Sequence, residues 1–359
     1  MSVQSTHSSR EPVPEFHAQK VYEVQPEDRN AILRISAYHR KDFDLAVIWF
    51  SPRAHTDVLT PTLPLSRKPT TSLGELDKLP LELVNRICLE LDVASLFRFR
   101  QTNIRARQIV AALHEYRITT THAVNPLCAL LRTRLAPVVT LLDFYRLLCT
   151  QSCSLCESEY GDLVHLPLWI RCCSSCLRRN STELRVATLS TVKRILKLSR
   201  KSLKKLPKLM TLPGTYTMDE RPRSSRLTIV STASALSAYC EEHSGVEASQ
   251  AMIKQISTQP ILAFMACCAL PSFDLRTGQA QNGVSCAGCQ VAVEEGINTF
   301  KGAWAGEMRD AVYSRDGFLK HFTHCEQAQL LWTSSNGGTE RPPKMPYSCR
   351  KGGYFKHRE

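Results

Sequence analysis

The chain has 359 residues, 43% of them hydrophobic and 22% charged, which suits two or three globular domains and excludes a chain too polar to build a core. Its net charge of +13 is uneven: 178–208 holds eleven Lys or Arg against the single acid Glu183, and 341–359 holds six against one. Two local features carry the basic balance, so it gives no reason to read the whole surface as a nucleic-acid or membrane footprint.

Residues 1–70 are polar with scattered Pro and Ser, and are expected to be mostly disordered. One apolar patch interrupts them, DFDLAVIWF at 42–50, which suits a short strand or a docking peptide. The segment 76–110, LDKLPLELVNRICLELDVASLFRFRQTNIRARQIV, is more apolar than so small a unit can bury. Pro80 suits a first helical position, with Glu82 at the positive helix start. At 100° per residue, Leu81, Leu83, Val84, Ile87, Cys88 and Leu91 cover an arc of roughly 160°, wider than the stripe of an ordinary surface helix. Asp92 and Asn103 are natural N-caps for two further short helices. Three short helices shield only part of this surface, and the rest needs a partner.

The spacing Leu79-Pro80-x-Glu82-Leu83, then Ile87, Leu91, Leu96 and Arg100, resembles an F-box over residues 73–115. That resemblance implies a three-helix module docked on a Skp-type adaptor, with Leu79, Pro80, Leu83, Ile87, Leu91 and Leu96 at or near the interface. One departure is Ala106, where many F-boxes carry a Trp in the third helix.

Residues 116–150 have helical periodicity broken at Pro137 and are read as a helical linker. A metal module is expected at 150–180, where Cys153-x2-Cys156 and Cys173-x2-Cys176 stand sixteen residues apart. Each two-residue gap lets a tight turn present two thiolates to one tetrahedral zinc. Cys149 and Cys172 are substitutes, His165 is read as a packed or surface residue rather than a ligand, and Arg171, Arg178 and Arg179 are near enough to offset the thiolate charge. The start, MSVQSTHSSREPVP, lacks the apolar core of a secretory signal, so cytoplasm and/or nucleus is the expected location. In that reducing setting, fifteen cysteines do not read as a disulfide framework. No run reaches the roughly 18–20 apolar residues of a spanning helix.

From 186 to 206 a basic amphipathic helix is expected, with Leu189, Val192, Ile195, Leu196 and Leu203 on one side. Lys193, Lys197, Arg200, Lys201 and Lys204 lie on the other as candidate anion-binding residues, and Pro207 ends the helix. Arg226–Thr232 is the best strand candidate. The region 226–333 reads as a C-terminal interaction region. It offers a second zinc site, looser in spacing, from Cys286, Cys289, His321 and Cys325, with His324 as a competitor. The alternative to a metal there is a packed C-terminal helix with Phe318, Phe322, Leu330 and Trp332 as its core face, and 334–359 reads as a flexible basic tail.

The order CSLC, WIRCCSSC, KLPKLMTLPGTY, VSCAGCQ and FLKHFTHCEQAQLLW, spread over 145–335, is similar to a group of fungal F-box proteins. The expected fold is mainly α: a three-helix F-box followed by an α-rich, irregular region with few strands, stabilised by one or two structural Zn2+. The resemblance implies a non-catalytic substrate receptor of a Skp–cullin–F-box ubiquitin ligase, with a cullin scaffold reached through the adaptor and a protein client held by the C-terminal region. The alternatives are a zinc-stabilised basic nucleic-acid-binding protein and an adaptor-bound interaction protein outside a ligase. Nucleic acid is the weaker of these, because the cysteine pairs do not flank a recognition helix and the basic segment carries no aromatics for base stacking. Neither a nucleophile motif nor His-Glu-x-x-His occurs, and a four-thiolate site is coordinatively closed, so catalysis is not indicated. A RING would need eight cross-braced ligands close in sequence, which the widely separated clusters do not supply.

Overall fold

The structure is a computed structural model that describes residues 21–55, 72–157, 160–256, 259–297 and 303–356. The fold is mainly α, with strands of only two to four residues. Among the described residues no helix is long and apolar enough to cross a membrane. The chain divides into two compact units, one formed by Arg40–Gly283 with Gly352 onward, the other by the segment up to His39 with Val284–Lys351. The expected single region 226–333 is therefore split at 283/284.

In the larger unit the expected caps form. Asp92 accepts the Ser95 N–H at 2.8 Å and opens helix Val93–Thr102. Asn103 accepts the Ala106 N–H at 2.8 Å and opens helix Ile104–Ala112. Pro80 sits one residue earlier than expected, at the N-cap of helix Leu81–Glu90. These helices close on Val84, Cys88, Leu96, Ile109, Val110 and Tyr116. Ala106 is fully buried without any Trp at its position. Arg100 is buried too, its guanidinium carbon 5.8 Å from the Phe97 and Tyr116 ring centroids, and burial lowers its pKa.

Residues 116–150 are helical but do not form a linker. Leu127, Leu130, Phe144 and Leu148 belong to the largest core, with Val164, Val186, Ile229 and Met265. The Val93 N–H donates to Val139 O and the Leu141 N–H to Leu91 O, at 2.9 and 3.1 Å, which fixes helix Leu141–Leu148 against the first helices. The N-terminal expectation needs the same correction. Phe43, Leu45, Val47 and Ile48 are buried, and Ile48 forms a parallel bridge to Cys268. The remainder of the 1–70 expectation, 1–20 and 56–71, lies outside the described residues.

The tail is also ordered where described. Arg40 makes a buried two-point ion pair with Asp42, at 2.7 and 2.8 Å. The Tyr354 N–H donates to the same carboxylate at 3.0 Å. Gly353, at φ 118°, packs so closely on Asp42 that a Cβ would overlap the carboxylate.

The expected strand forms at Thr228–Ser231, between Val186–Thr188 and Leu209–Met210, both antiparallel to it. The single basic helix does not form. After strand Val186–Thr188 come helix Leu189–Leu196, a left-handed Lys197 at φ 50°, and helix Arg200–Lys205. Thr188 and Ser199 cap the two helices through their hydroxyls, so two good local N-caps defeat one long periodic pattern. A continuous helix would also stack like charges at i,i+4.

In the smaller unit, strand Ala37–Tyr38 pairs antiparallel with Ser285–Cys286. Helices Arg29–Ser36, Ala287–Glu294, Arg315–Phe322 and Glu326–Thr333 close over Ile32, Ile35, Phe318, Phe322 and Trp332. Leu330, expected in that core, is instead 54% exposed.

His165 lies on the central strand of a three-stranded sheet, between Ile170 and Cys267. It is fully buried, and burial pushes its pKa down to about 3. The fold therefore holds it neutral, while an unfolded chain protonates it below about 6.5. Stability from this residue is complete above that value and falls by roughly 1.4 kcal/mol per pH unit as pH drops toward 3. His165→Leu should flatten that slope: its unfolding free energy relative to wild type, measured by denaturant titration, should rise as pH is lowered from 7 to 5.5, and a pH-independent difference would contradict the assignment.

Candidate functional site

Helix Leu81–Glu90 turns Val84 and Cys88 into the core and leaves a large apolar face in solvent. Leu79 is 37% exposed, Leu81 54%, Leu83 52% and Ile87 42%, with Pro80 exposed beside them. Of the expected interface residues, Leu79, Pro80, Leu83 and Ile87 thus share one open surface. Leu91 is half-buried against the domain core, and Leu96 is 1% exposed. Leu96 is a packing residue and is corrected as such. Leu81 is exposed as well, but at 100° per residue it lies across the buried Val84 and Cys88 from Leu83 and Ile87, and so does not join their face. A cluster of this kind on a small helical module marks a protein contact rather than scattered surface leucines.

The first cysteine cluster forms as spaced. Cys153, Cys156, Cys173 and Cys176 place their sulfurs within 4.8 Å of one another. Cys153–Cys176 and Cys156–Cys173 are 3.9 and 3.8 Å apart. Zinc–sulfur bonds of about 2.3 Å in a tetrahedron require sulfur–sulfur edges of roughly 3.8 Å, whereas a disulfide would need about 2.05 Å. Cys173 caps helix Ser174–Arg178, its sulfur accepting the Cys176 N–H at 3.3 Å, and the Cys153 sulfur accepts the Cys173 N–H at 3.3 Å. Contacts from Cys173 and Cys176 hold the Cys153 thiol well below its usual pKa, while Cys176 is pushed up to about 12, chiefly by Cys153. One thiolate thus suppresses its neighbour, and a divalent cation is the species that would ionise the whole set.

The substitutes stand elsewhere. Cys172 is buried and raised by Cys267, Cys149 lies beside Tyr145, and His165 is the core residue described above. Arg171 does not face the thiolates. Its guanidinium donates to the carbonyls of Leu147, Gly161, Leu270 and Pro271 and to Thr150 Oγ1, clamping four chain segments together. Arg178 lies over the Phe43 ring, 4.8 Å from its centroid.

The looser group also converges. Cys286, Cys289, His321 and Cys325 place one donor atom each within 4.8 Å of the others, and His324 is outside the set. Cys286–Cys325 is 3.7 Å, Cys289–Cys325 4.0 Å, and Cys289 Sγ to His321 Nε2 3.3 Å. A zinc with one nitrogen ligand at about 2.0–2.1 Å has sulfur–nitrogen edges near 3.5 Å. Cys286 caps helix Ala287–Glu294, its sulfur accepting the Cys289 N–H at 3.4 Å. Contacts from Cys286 and Cys289, with a smaller share from His321, lower the Cys325 pKa; burial raises Cys286, and Cys286 and Cys325 raise Cys289. His321 is steered by Tyr313, whose ring stacks on it at 4.9 Å and whose hydroxyl lies 3.4 Å from Nδ1, leaving Nε2 for a metal. Tyr313 was not singled out from sequence, and nothing in the local spacing marks it. It is positioned by a two-way backbone pairing with Val284, two residues before Cys286.

Both groups can therefore hold a metal ion, each within its own unit. The Cys153→Ser/Cys156→Ser chain and the Cys286→Ser/Cys289→Ser chain should each lose about one metal per polypeptide by elemental analysis, and the quadruple variant about two. Wild-type metal content in either double variant would reject that cluster as a site.

Residues 76–118 match the family model described as F-box domain. No curated protein and no solved structure matches the chain. The match extends three residues past the expected boundary and contains the exposed apolar helix face, and it supports binding to a Skp-type adaptor. The chain thus carries an F-box domain at residues 76–118.

Proposed function

We propose that this protein is a substrate-recognition subunit of a Skp–cullin–F-box ubiquitin ligase. The observation that carries the reading is the open face of Leu83 and Ile87, with Leu79 and Pro80 exposed just before the helix start, on a helix whose inner side, Val84 and Cys88, closes its own domain. Such a face gains by burial against a partner groove, at roughly 1.5–3 kcal/mol per large apolar side chain. The adaptor would carry a cullin scaffold, and regions outside 73–115 would hold a protein client. The subunit itself makes and breaks no bond; it raises the effective concentration of client near the ubiquitin-loaded enzyme.

In this reading both metal sites are structural zinc, held by Cys153, Cys156, Cys173 and Cys176 and by Cys286, Cys289, His321 and Cys325. Sets of four protein donors leave no open position for substrate, which favours scaffolding over Lewis-acid chemistry. Cysteines that form no disulfide in either cluster suit a reducing compartment, cytoplasm or nucleus.

The test is co-expression with the organism's Skp-type adaptor and cullin. Wild type should co-purify with both. Leu83→Ala/Ile87→Ala should weaken adaptor binding by about 2–4 kcal/mol at unchanged melting temperature, as expected of interface hot spots. Leu96→Ala should instead lower thermal stability, by about 2–5 kcal/mol for a buried leucine. A chain that binds adaptor but not cullin would refute the ligase assignment, and one whose double variant binds like wild type would refute the face.

A further inference from the structure

The cationic stretch 193–208 takes no part in the adaptor face or the metal clusters. Lys193, Arg194, Lys197, Arg200, Lys201, Lys204 and Lys205 are all exposed. Among the described residues none of them makes an ion pair. The nearby Glu242 is engaged otherwise, its two oxygens accepting the Ser199 N–H at 3.1 and 3.2 Å at the start of helix Arg200–Lys205. Seven cations, six on two short helices and Lys197 in the turn between them, repel one another, and an anionic partner would relieve that repulsion.

Beside this surface runs a cleft of about 520 Å³. Leu168, Leu206, Pro207 and Ala238 supply its apolar lining, while Ser202 and Lys205 bring the cationic helix to its edge. Helix Thr232–Glu242 forms the opposite wall, and its Glu241 also lines the cleft, so the carboxylates of an acidic ligand would sit toward the lysine side with the apolar side chain in the cleft.

We infer that this surface binds an acidic peptide segment of a protein client, its carboxylates on the lysines and an apolar side chain in the cleft. The inference rests on the client-receptor reading above. A peptide fits better than the other polyanions. Residues 189–208 contain no aromatic side chain on which a base could stack. The left-handed turn at Lys197 breaks the cations into two short helices, so they do not follow one continuous phosphate track. An anionic bilayer would want large apolar groups beside the lysines, but Val192, Ile195, Leu196, Leu198 and Leu206 are buried.

The experiment is fluorescence anisotropy on the full chain, alone and with adaptor. The probes are a labelled Glu/Leu-rich peptide, a Glu-only peptide, a single-stranded oligonucleotide of equal charge, and phosphatidylserine vesicles. The Glu/Leu peptide should bind most tightly and weaken with added salt. Lys201→Glu/Lys204→Glu/Lys205→Glu should weaken it about tenfold or more, three exposed ion pairs being lost, at unchanged melting temperature and adaptor binding. Ala238→Trp, which fills the cleft and spares the charges, should bring the Glu/Leu peptide down to the affinity of the Glu-only peptide. Adaptor binding without peptide binding would overturn this inference and leave the receptor reading intact. Preference for the oligonucleotide or the vesicles would overturn it in favour of those partners. Peptide binding by a chain that captures no adaptor would uphold the surface and overturn the receptor reading.

Discussion

Four donor atoms converge within 4.8 Å twice over, once in each unit, and a metal ion held by each set would constrain most of the architecture around it. The strands are two to four residues long, and sheets that small have little independent stability. Each cluster ties its own unit. The first joins the turn at Cys153–Cys156 to the strand and helix start at Cys172–Cys176, around the small sheet centred on Leu163–His165. The second joins the start of helix Ala287–Glu294 to helix Arg315–Phe322 and the following turn, over the core that Ile32 and Ile35 complete. A zinc bound at such a site would contribute on the order of 10 kcal/mol or more, against the 5–15 kcal/mol net stability typical of a domain.

The F-box helix is governed by the opposite demand. A ten-residue helix with an apolar arc near half its circumference cannot satisfy it within one small module. Val84 and Cys88 take the inner side, and the remainder is left for a partner. Packing of the flanking helices against Leu141–Leu148 keeps the inner side occupied, so the outer face stays rigidly presented rather than collapsing inward. Preorganisation of that kind lowers the cost of association.

What was legible in the sequence was local. Asp92, Asn103 and the Cys-x2-Cys turns at Cys173 and Cys286 act over three residues, and each formed where its spacing put it. Contacts across long stretches of chain were not legible. The 42–50 patch gave no sign that Ile48 pairs with Cys268, and nothing near Tyr22 signals that its hydroxyl accepts the Trp332 indole N–H at 2.9 Å. Leu96 was misplaced because a family offset does not say which side of a helix faces inward. The basic segment was misread because its periodicity runs straight across Lys197, whereas the Ser199 cap, a short-range signal, specified the break.

These elements make a consistent account: a chain with an F-box face turned outward and, in each unit, four donor atoms able to hold a metal ion. Native mass spectrometry of the full chain co-expressed with its Skp-type adaptor tests both parts at once. The account predicts one adaptor per chain and a residual mass of two zinc ions, one for each cluster. A complex of adaptor and chain without metal would contradict the structural role of the clusters, and a chain recovered without adaptor would contradict the account at its centre.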